Sequence, residues 1–265
     1  METTAKIIPQ IRFQQQGPGE NGQKQDFGTR EQKIAMIFSG EKRRFPRRER
    51  GNPVSWRTLK KLKERNPMKD SVLFVNACPR AESRTRVLAE KVLSTLSLPV
   101  EEVRLTEIRF PVVDETFLRM RDRLLSEKNY THPLFDYARR FAQAKAIVIA
   151  APYWDLSFPA ALKQYLEQIN VVGITFRYTE SGFPVSLCQA KVLYYVTTAG
   201  GNYVPDAYGF GYVRDLAQSF YGIPDIRCVK AVGLDLVGAD VQAIMKSAED
   251  AIQPWNGGTV PPFQE

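Results

Sequence analysis

The stretch Ala151 to Tyr178, APYWDLSFPAALKQYLEQINVVGITFRY, decides the fold of this chain. It follows Ala146-Ile147-Val148-Ile149-Ala150, an apolar run too short to cross a membrane and rich in β-branched residues, as expected of a strand buried on both faces of a sheet. Pro152 ends that strand. Pro159 suits the first turn of a helix, where a missing N–H leaves no bond unmade, and Ala160, Ala161, Leu162, Lys163, Tyr165 and Leu166 carry the helix on. The turn between them, Tyr153-Trp154-Asp155-Leu156, is therefore placed at the carboxyl end of a parallel strand, the edge at which open α/β sheets bind ligands.

Working outward, the same alternation of strand and helix covers the chain from Met68. Ser71 to Val75 reads as a first strand, and Leu88, Ala89, Val92, Leu93 and Leu96 form the inward face of a helix. Val100 to Leu105 reads as a second strand, followed by a variable stretch from Arg109 to Pro133. A helix at about 135–144 leads into the buried third strand. Lys191 to Thr197 is the fourth strand, 206–220 a helix, Asp225 to Val232 the fifth strand, and 239–252 a closing helix. Five strands separated by helices predict a doubly wound parallel sheet with right-handed crossovers. The order 2-1-3-4-5 is expected, because the loops after the first and third strands then flank one switch point.

Each loop at that edge has a chemical rationale. Asn76-Ala77-Cys78-Pro79-Arg80-Ala81-Glu82-Ser83-Arg84-Thr85 places hydroxyls and free N–H groups at a helix start, where positive partial charge suits a phosphate; simple N-capping by Ser83 is the plainer alternative. Thr198-Ala199-Gly200-Gly201 closes the fourth strand, and its glycines allow backbone N–H groups to approach a planar ring or merely to turn the chain. The G-x-x-x-x-G-K signature of nucleoside-triphosphatases is absent, and Gly209-Phe210-Gly211 falls beside a helix instead of after a strand, so it reads as packing or a kink.

Together these motifs bring a family into view. A-P-x-(aromatic pair)-x-x-x-x-P-x-x-L-K-x-Y, then G-x-T-F-x-Y at Gly173 to Tyr178 and T-x-G-G at Thr198 to Gly201, resembles the FMN-dependent NADH-azoreductases and quinone reductases of the flavodoxin-like fold, over about residues 68–253. By this resemblance, Pro152, Tyr153, Trp154, Asp155 and Leu156 line the isoalloxazine of FMN, and Thr198, Ala199, Gly200 and Gly201 lie under its pyrimidine edge. Cys78, Ser83, Arg84 and Thr85 match the phosphate loop, and Phe176 and Tyr178 stand beside the substrate pocket. The chain departs from the family at Cys78, where a hydroxyl is usual, at Asp155, where an Asn is usual, and at Ala199, which replaces a longer residue. The resemblance implies hydride transfer from NADH or NADPH to the flavin N5 and two-electron, ping-pong reduction of a quinone or azo compound. It also implies a homodimer with FMN at the subunit contact. No catalytic side chain and no metal are required, since the cofactor carries the chemistry.

Composition sets the limits of other readings. With 265 residues, 43% of them hydrophobic, the chain can bury a full core. The net charge of +8 suggests nucleic acid at first, but residues 1–67 hold 16 Lys+Arg against 7 Asp+Glu, while the remainder holds 21 against 22. The basicity is confined to one end. Gln14 to Gln23 and the broken charge run Lys42 to Gly51 cannot bury enough apolar surface to order themselves, so residues 1–67 are expected to be a disordered basic extension, with Met68 a natural start, and 254–265 a tail. The Arg cluster reads as a solvated tail; weak electrostatic capture of nucleic acid or an anionic surface is the other reading.

Cys78, Cys188 and Cys228 are odd in number and lack metal-like spacing, which points to reduced thiols in a cytoplasmic protein. The single His132 lies in a polar loop and reads as a surface residue. No signal peptide or membrane span is visible. Two further functions stay open at this point, an FMN electron carrier and an ancillary subunit of an ion-efflux system.

Overall fold

The computed structural model describes residues 70–255. The expected basic extension, 1–67, lies outside the described residues, as does most of the expected tail. Seven strands and six α-helices are present among the described residues: β1 (Val72–Asn76), α1 (Arg84–Ser94), β2 (Val100–Arg104), α2 (Glu115–Ser126), α3 (Asp136–Gln143), β3 (Ala146–Ala150), α4 (Ala160–Ile169), β4 (Phe176–Tyr178), β5 (Pro184–Ser186), β6 (Val192–Thr198), α5 (Phe210–Ser219), β7 (Asp225–Ala231) and α6 (Val241–Asp250). Five strands form a parallel sheet in the order β2-β1-β3-β6-β7. Counting only those five, this is the expected 2-1-3-4-5 arrangement.

The three central strands are apolar because both of their faces are covered. Every residue of β1, β3 and β6 is buried. One face carries Leu73, Val75, Ile147, Ile149, Leu193 and Tyr195 against Phe141, Leu162, Leu166, Val213 and Tyr221. The other carries Val72, Phe74, Val148, Tyr194 and Val196 against Leu88, Ala89, Val92 and Ala248 of α1 and α6. At the edges the pattern changes. β2 reads exposed, intermediate or buried by turns, which is why its sequence alternates while β3 is continuously apolar.

Two elements go beyond the sequence expectation. The stretch from Arg109 to Pro133 contains α2, capped by the Asp114 carboxylate accepting from the Phe117 N–H at 2.8 Å. Its inward residues Phe117 and Leu124 are few, so the apolar signal is thin. Residues 176–186 form a small antiparallel hairpin, β4 with β5, outside the main sheet. Gly173 feeds it with φ of +89°, and a Cβ there would lie 2.5 Å from the Tyr130 hydroxyl. Glycine is thus required twice over, by backbone and by space. Thr175 is fully buried and closes the same turn, donating to the Ile169 carbonyl at 2.8 Å and accepting from the Val171 N–H at 3.1 Å.

Candidate active site

Three loops leave the carboxyl edge of β1, β3 and β6, and one residue ties them. The Thr198 carbonyl accepts from the Tyr153 N–H at 3.0 Å. Its hydroxyl is paired with that of Thr85 at 2.7 Å. The loop Ala199-Gly200-Gly201 begins on its own C-terminal side. Both threonines are buried, so this bond is shielded from water and fixes the start of α1 against the end of β6.

In the first loop, Ser83 caps α1, its hydroxyl accepting from the Arg86 N–H at 3.3 Å. The N–H groups of Arg84 and Thr85 have no intrahelical acceptor, as in the first turn of any helix, and face the loop with positive partial charge. Cys78 is buried behind them, its thiol 3.9 Å from the Ala150 carbonyl and its N–H donating to Asn76 at 2.9 Å. Burial pushes the Cys78 thiol up, so it stays neutral and braces the loop without adding charge. Arg84 is exposed and pairs with Asp235, Nη1 to Oδ1 2.8 Å, across the mouth of the loop.

The second loop is a tight hairpin. Trp154 and Ser157 exchange both backbone bonds, at 2.9 and 2.8 Å, and the two residues between them have positive φ, Asp155 at 50° and Leu156 at 66°. That is the two-residue turn with both central residues left-handed, which favours Asn, Asp or Gly. Asp155 suits it. Leu156 does not, and a non-glycine residue there costs about 1–2 kcal/mol. Strain of this kind gathers at functional sites, and here it holds the Leu156 and Trp154 side chains out, 46% and 42% exposed. Leu156→Gly is expected to keep the turn and leave the melting temperature unchanged or higher; a clear fall in melting temperature would show that Leu156 is not strained.

Pro152 and Tyr153 are half-buried between this turn and β3. The Tyr153 ring packs near Gly209, whose Cβ position lies 3.7 Å from it and 3.8 Å from the Tyr195 hydroxyl. The buried Tyr153 hydroxyl has no hydrogen-bond partner among the described residues. Burial, then the Tyr203 phenol and the Asp206 carboxylate, push its ionisation up, so it is a neutral donor at ordinary pH. The Ser157 hydroxyl donates to the Tyr208 carbonyl at 2.5 Å and joins the turn to the segment ahead of α5.

The third loop differs at its two glycines. A Cβ on Gly200 would lie 3.0 and 3.2 Å from Cγ and Cβ of Asp235, whereas one on Gly201 would meet nothing within 4 Å. Gly200 therefore makes room for protein, and Gly201 faces open space. Asp235 is held there by its N–H donating to the Gly200 carbonyl at 3.0 Å.

Of the pair placed beside the substrate pocket, Phe176 is buried, edge-on to Phe220 at 4.8 Å and to Tyr178 at 5.4 Å. Only Tyr178, 50% exposed, offers a solvent-facing ring, and the pair lies beside Phe220 at the end of α5, away from the helix start at Gly209 that meets Tyr153. Asp235, Tyr203 and Tyr208 come to the edge formed by the three loops without a signal in the sequence, because nothing in their type or spacing distinguishes them from surface loop residues. Gly209 and Gly211 are packing residues: a Cβ on Gly211 would lie 2.8 Å from the Asp206 carbonyl.

A family model described as flavodoxin-like fold matches residues 70–254. The chain is 35% identical over 190 residues to the FMN-dependent NADH:quinone oxidoreductase of Clostridium beijerinckii, covering 68% of this chain and 95% of that protein. The chain belongs to the flavodoxin-like family of FMN-dependent NADH:quinone oxidoreductases. A second relative, the FMN-dependent NADH:quinone oxidoreductase of Coprothermobacter proteolyticus, is 34% identical over 194 residues, 69% of this chain and 94% of that one. The crystal structure of an azoreductase from Bacillus anthracis superimposes with a TM-score of 0.60 at 24% identity, over 68% of this chain and 95% of that chain, a likeness of fold. This member of the flavodoxin-like family thus shares the fold along nearly all of its described residues.

Proposed function

We propose that the chain is an FMN-dependent NAD(P)H oxidoreductase that reduces small quinones, or azo compounds, by two electrons. The observation that carries the reading is the junction at Thr198, which draws the phosphate-loop, aromatic and Gly-Gly loops to one point on the sheet edge. The identity to the Clostridium beijerinckii oxidoreductase along 95% of its length supports the same activity. An electron carrier or an efflux-system subunit is not favoured by these relatives.

The residues present fit FMN. The start of α1 supplies N–H donors, the Ser83 hydroxyl and the Arg84 guanidinium for a phosphate. The space before Gly201 is open to a flat group, and the Tyr153 hydroxyl is a buried donor with no protein partner among the described residues. FMN, when bound, would accept hydride from the nicotinamide and deliver two electrons to the acceptor. Ser83, Arg84 and Thr85 would hold its phosphate, and Trp154 and Leu156 would wall the ring from water. The N–H groups of Gly200 and Gly201 would face the ring edge where negative charge gathers. Aromatic substrates suit a mouth framed by Trp154, Tyr203 and Tyr208, all well exposed.

The same exposed rings favour a second copy of the chain as a cover for the site, hence a homodimer. All three cysteines are free thiols, in keeping with a reducing, cytoplasmic compartment. No helix among the described residues is long and apolar enough to cross a membrane. The purified protein is expected to show flavin absorption bands with FMN, and NADH oxidation with benzoquinone should give parallel double-reciprocal lines. Protein that holds FMN but is reduced by neither NADH nor NADPH would overturn the enzyme reading in favour of a carrier.

A further inference from the structure

We infer that Asp235 is a built-in competitor for the FMN phosphate, holding the Arg84 guanidinium that the phosphate would otherwise take, so that it sets how tightly the chain retains FMN over riboflavin. The inference rests on the reading of Ser83 to Thr85 as the phosphate loop. Three observations place the carboxylate there by construction. The Asp235 N–H donates to the Gly200 carbonyl at 3.0 Å, and its neighbours do likewise, Leu234 to Ala199 at 3.1 Å and Gly233 to Gly201 at 2.9 Å, so the segment after β7 runs locked along the Gly-Gly loop. The side chain lies over Gly200, where any Cβ would collide with it. From that seat Oδ1 reaches Nη1 of Arg84 at 2.8 Å, on the first residue of α1.

The physical consequence concerns charge. A helix start bearing one arginine attracts a phosphate dianion, but a carboxylate fixed beside that arginine cancels its charge and repels the same dianion. Binding the phosphate then requires Arg84 to be shared with Asp235 or released from it. Both side chains are substantially exposed, 47% and 69%, so the competition is screened and modest, suited to tuning retention. Riboflavin lacks the phosphate and does not meet this competition.

The test measures FMN and riboflavin affinity by flavin fluorescence for the wild-type chain, for Asp235→Asn, which keeps the volume over Gly200, and for Asp235→Ser, which removes charge without adding bulk. Neutralising Asp235 is expected to tighten FMN about two- to fivefold, the scale of an exposed ion pair, and to leave riboflavin unchanged. The gain should fade at high salt and shrink when Arg84→Gln is added. An unchanged or lowered preference for FMN in both folded variants would overturn the inference while leaving the phosphate loop intact. Equal affinity for FMN and riboflavin in the wild type and in both neutralised variants alike would instead remove the phosphate-loop reading, and this inference with it.

Discussion

Gly201→Val is expected to weaken FMN binding about 5- to 150-fold while leaving the fold and melting temperature close to wild type. The space a Cβ would enter holds no protein atom within 4 Å, so the folded chain alone has nothing to lose; bulk there conflicts only with a ligand, and forcing an extra group into a filled space costs about 1–3 kcal/mol. Gly200→Val should behave in the opposite way. Its new methyls meet the Asp235 side chain, whose Cγ and Cβ lie 3.0 and 3.2 Å from the Cβ position, so the folded chain itself should lose about 1–3 kcal/mol together with the Arg84 pairing. Flavin titration and thermal melts of the two variants separate the cases. Undiminished FMN affinity in a folded Gly201→Val protein would remove the ring from this loop.

Phe141→Ala should give the largest loss of stability, about 3–5 kcal/mol, with a melting temperature lower by roughly 6–20 °C. Phe141 is fully buried on α3 and meets Tyr221 edge-on, with ring centroids 4.7 Å apart. Truncation leaves a cavity between α3 and the end of α5 that rigid neighbours cannot close, and it removes an aromatic pair besides. The site lies at the far face from α1, so FMN affinity at low temperature should change little. A loss below 1 kcal/mol would mean that the core relaxes around the gap.

Which residues form the sheet, and in what order, was written in local pattern. β1, β3 and β6 are continuous apolar runs because both faces are covered, and that run length and composition are visible without any partner. The three loops of the carboxyl edge were likewise legible, since Pro152 and Gly200-Gly201 follow strand ends and Ser83 caps a helix, residues whose backbone chemistry is special. α2 was missed, although the Asp114 cap and the spacing of Phe117 and Leu124 were present, because its sparse apolar face packs only at the margin of the core.

Contacts between distant segments were decided by the tertiary structure alone. The lack of a side chain at Gly200 accommodates Asp235, 35 residues on, a contact no local pattern shows. Phe176 is buried against Phe220 while its strand neighbour Tyr178 stays exposed, a division that residue type does not show. The strain at Leu156 could not be read from residue type, which disfavours positive φ; only the paired backbone bonds of Trp154 and Ser157 enforce it. Periodicity and punctuation are properties of a chain segment and its solvent, so the sequence determined the elements and the order of the sheet. Which side chain fills which space depends on surfaces that meet only after the crossovers have closed, and that was settled by packing.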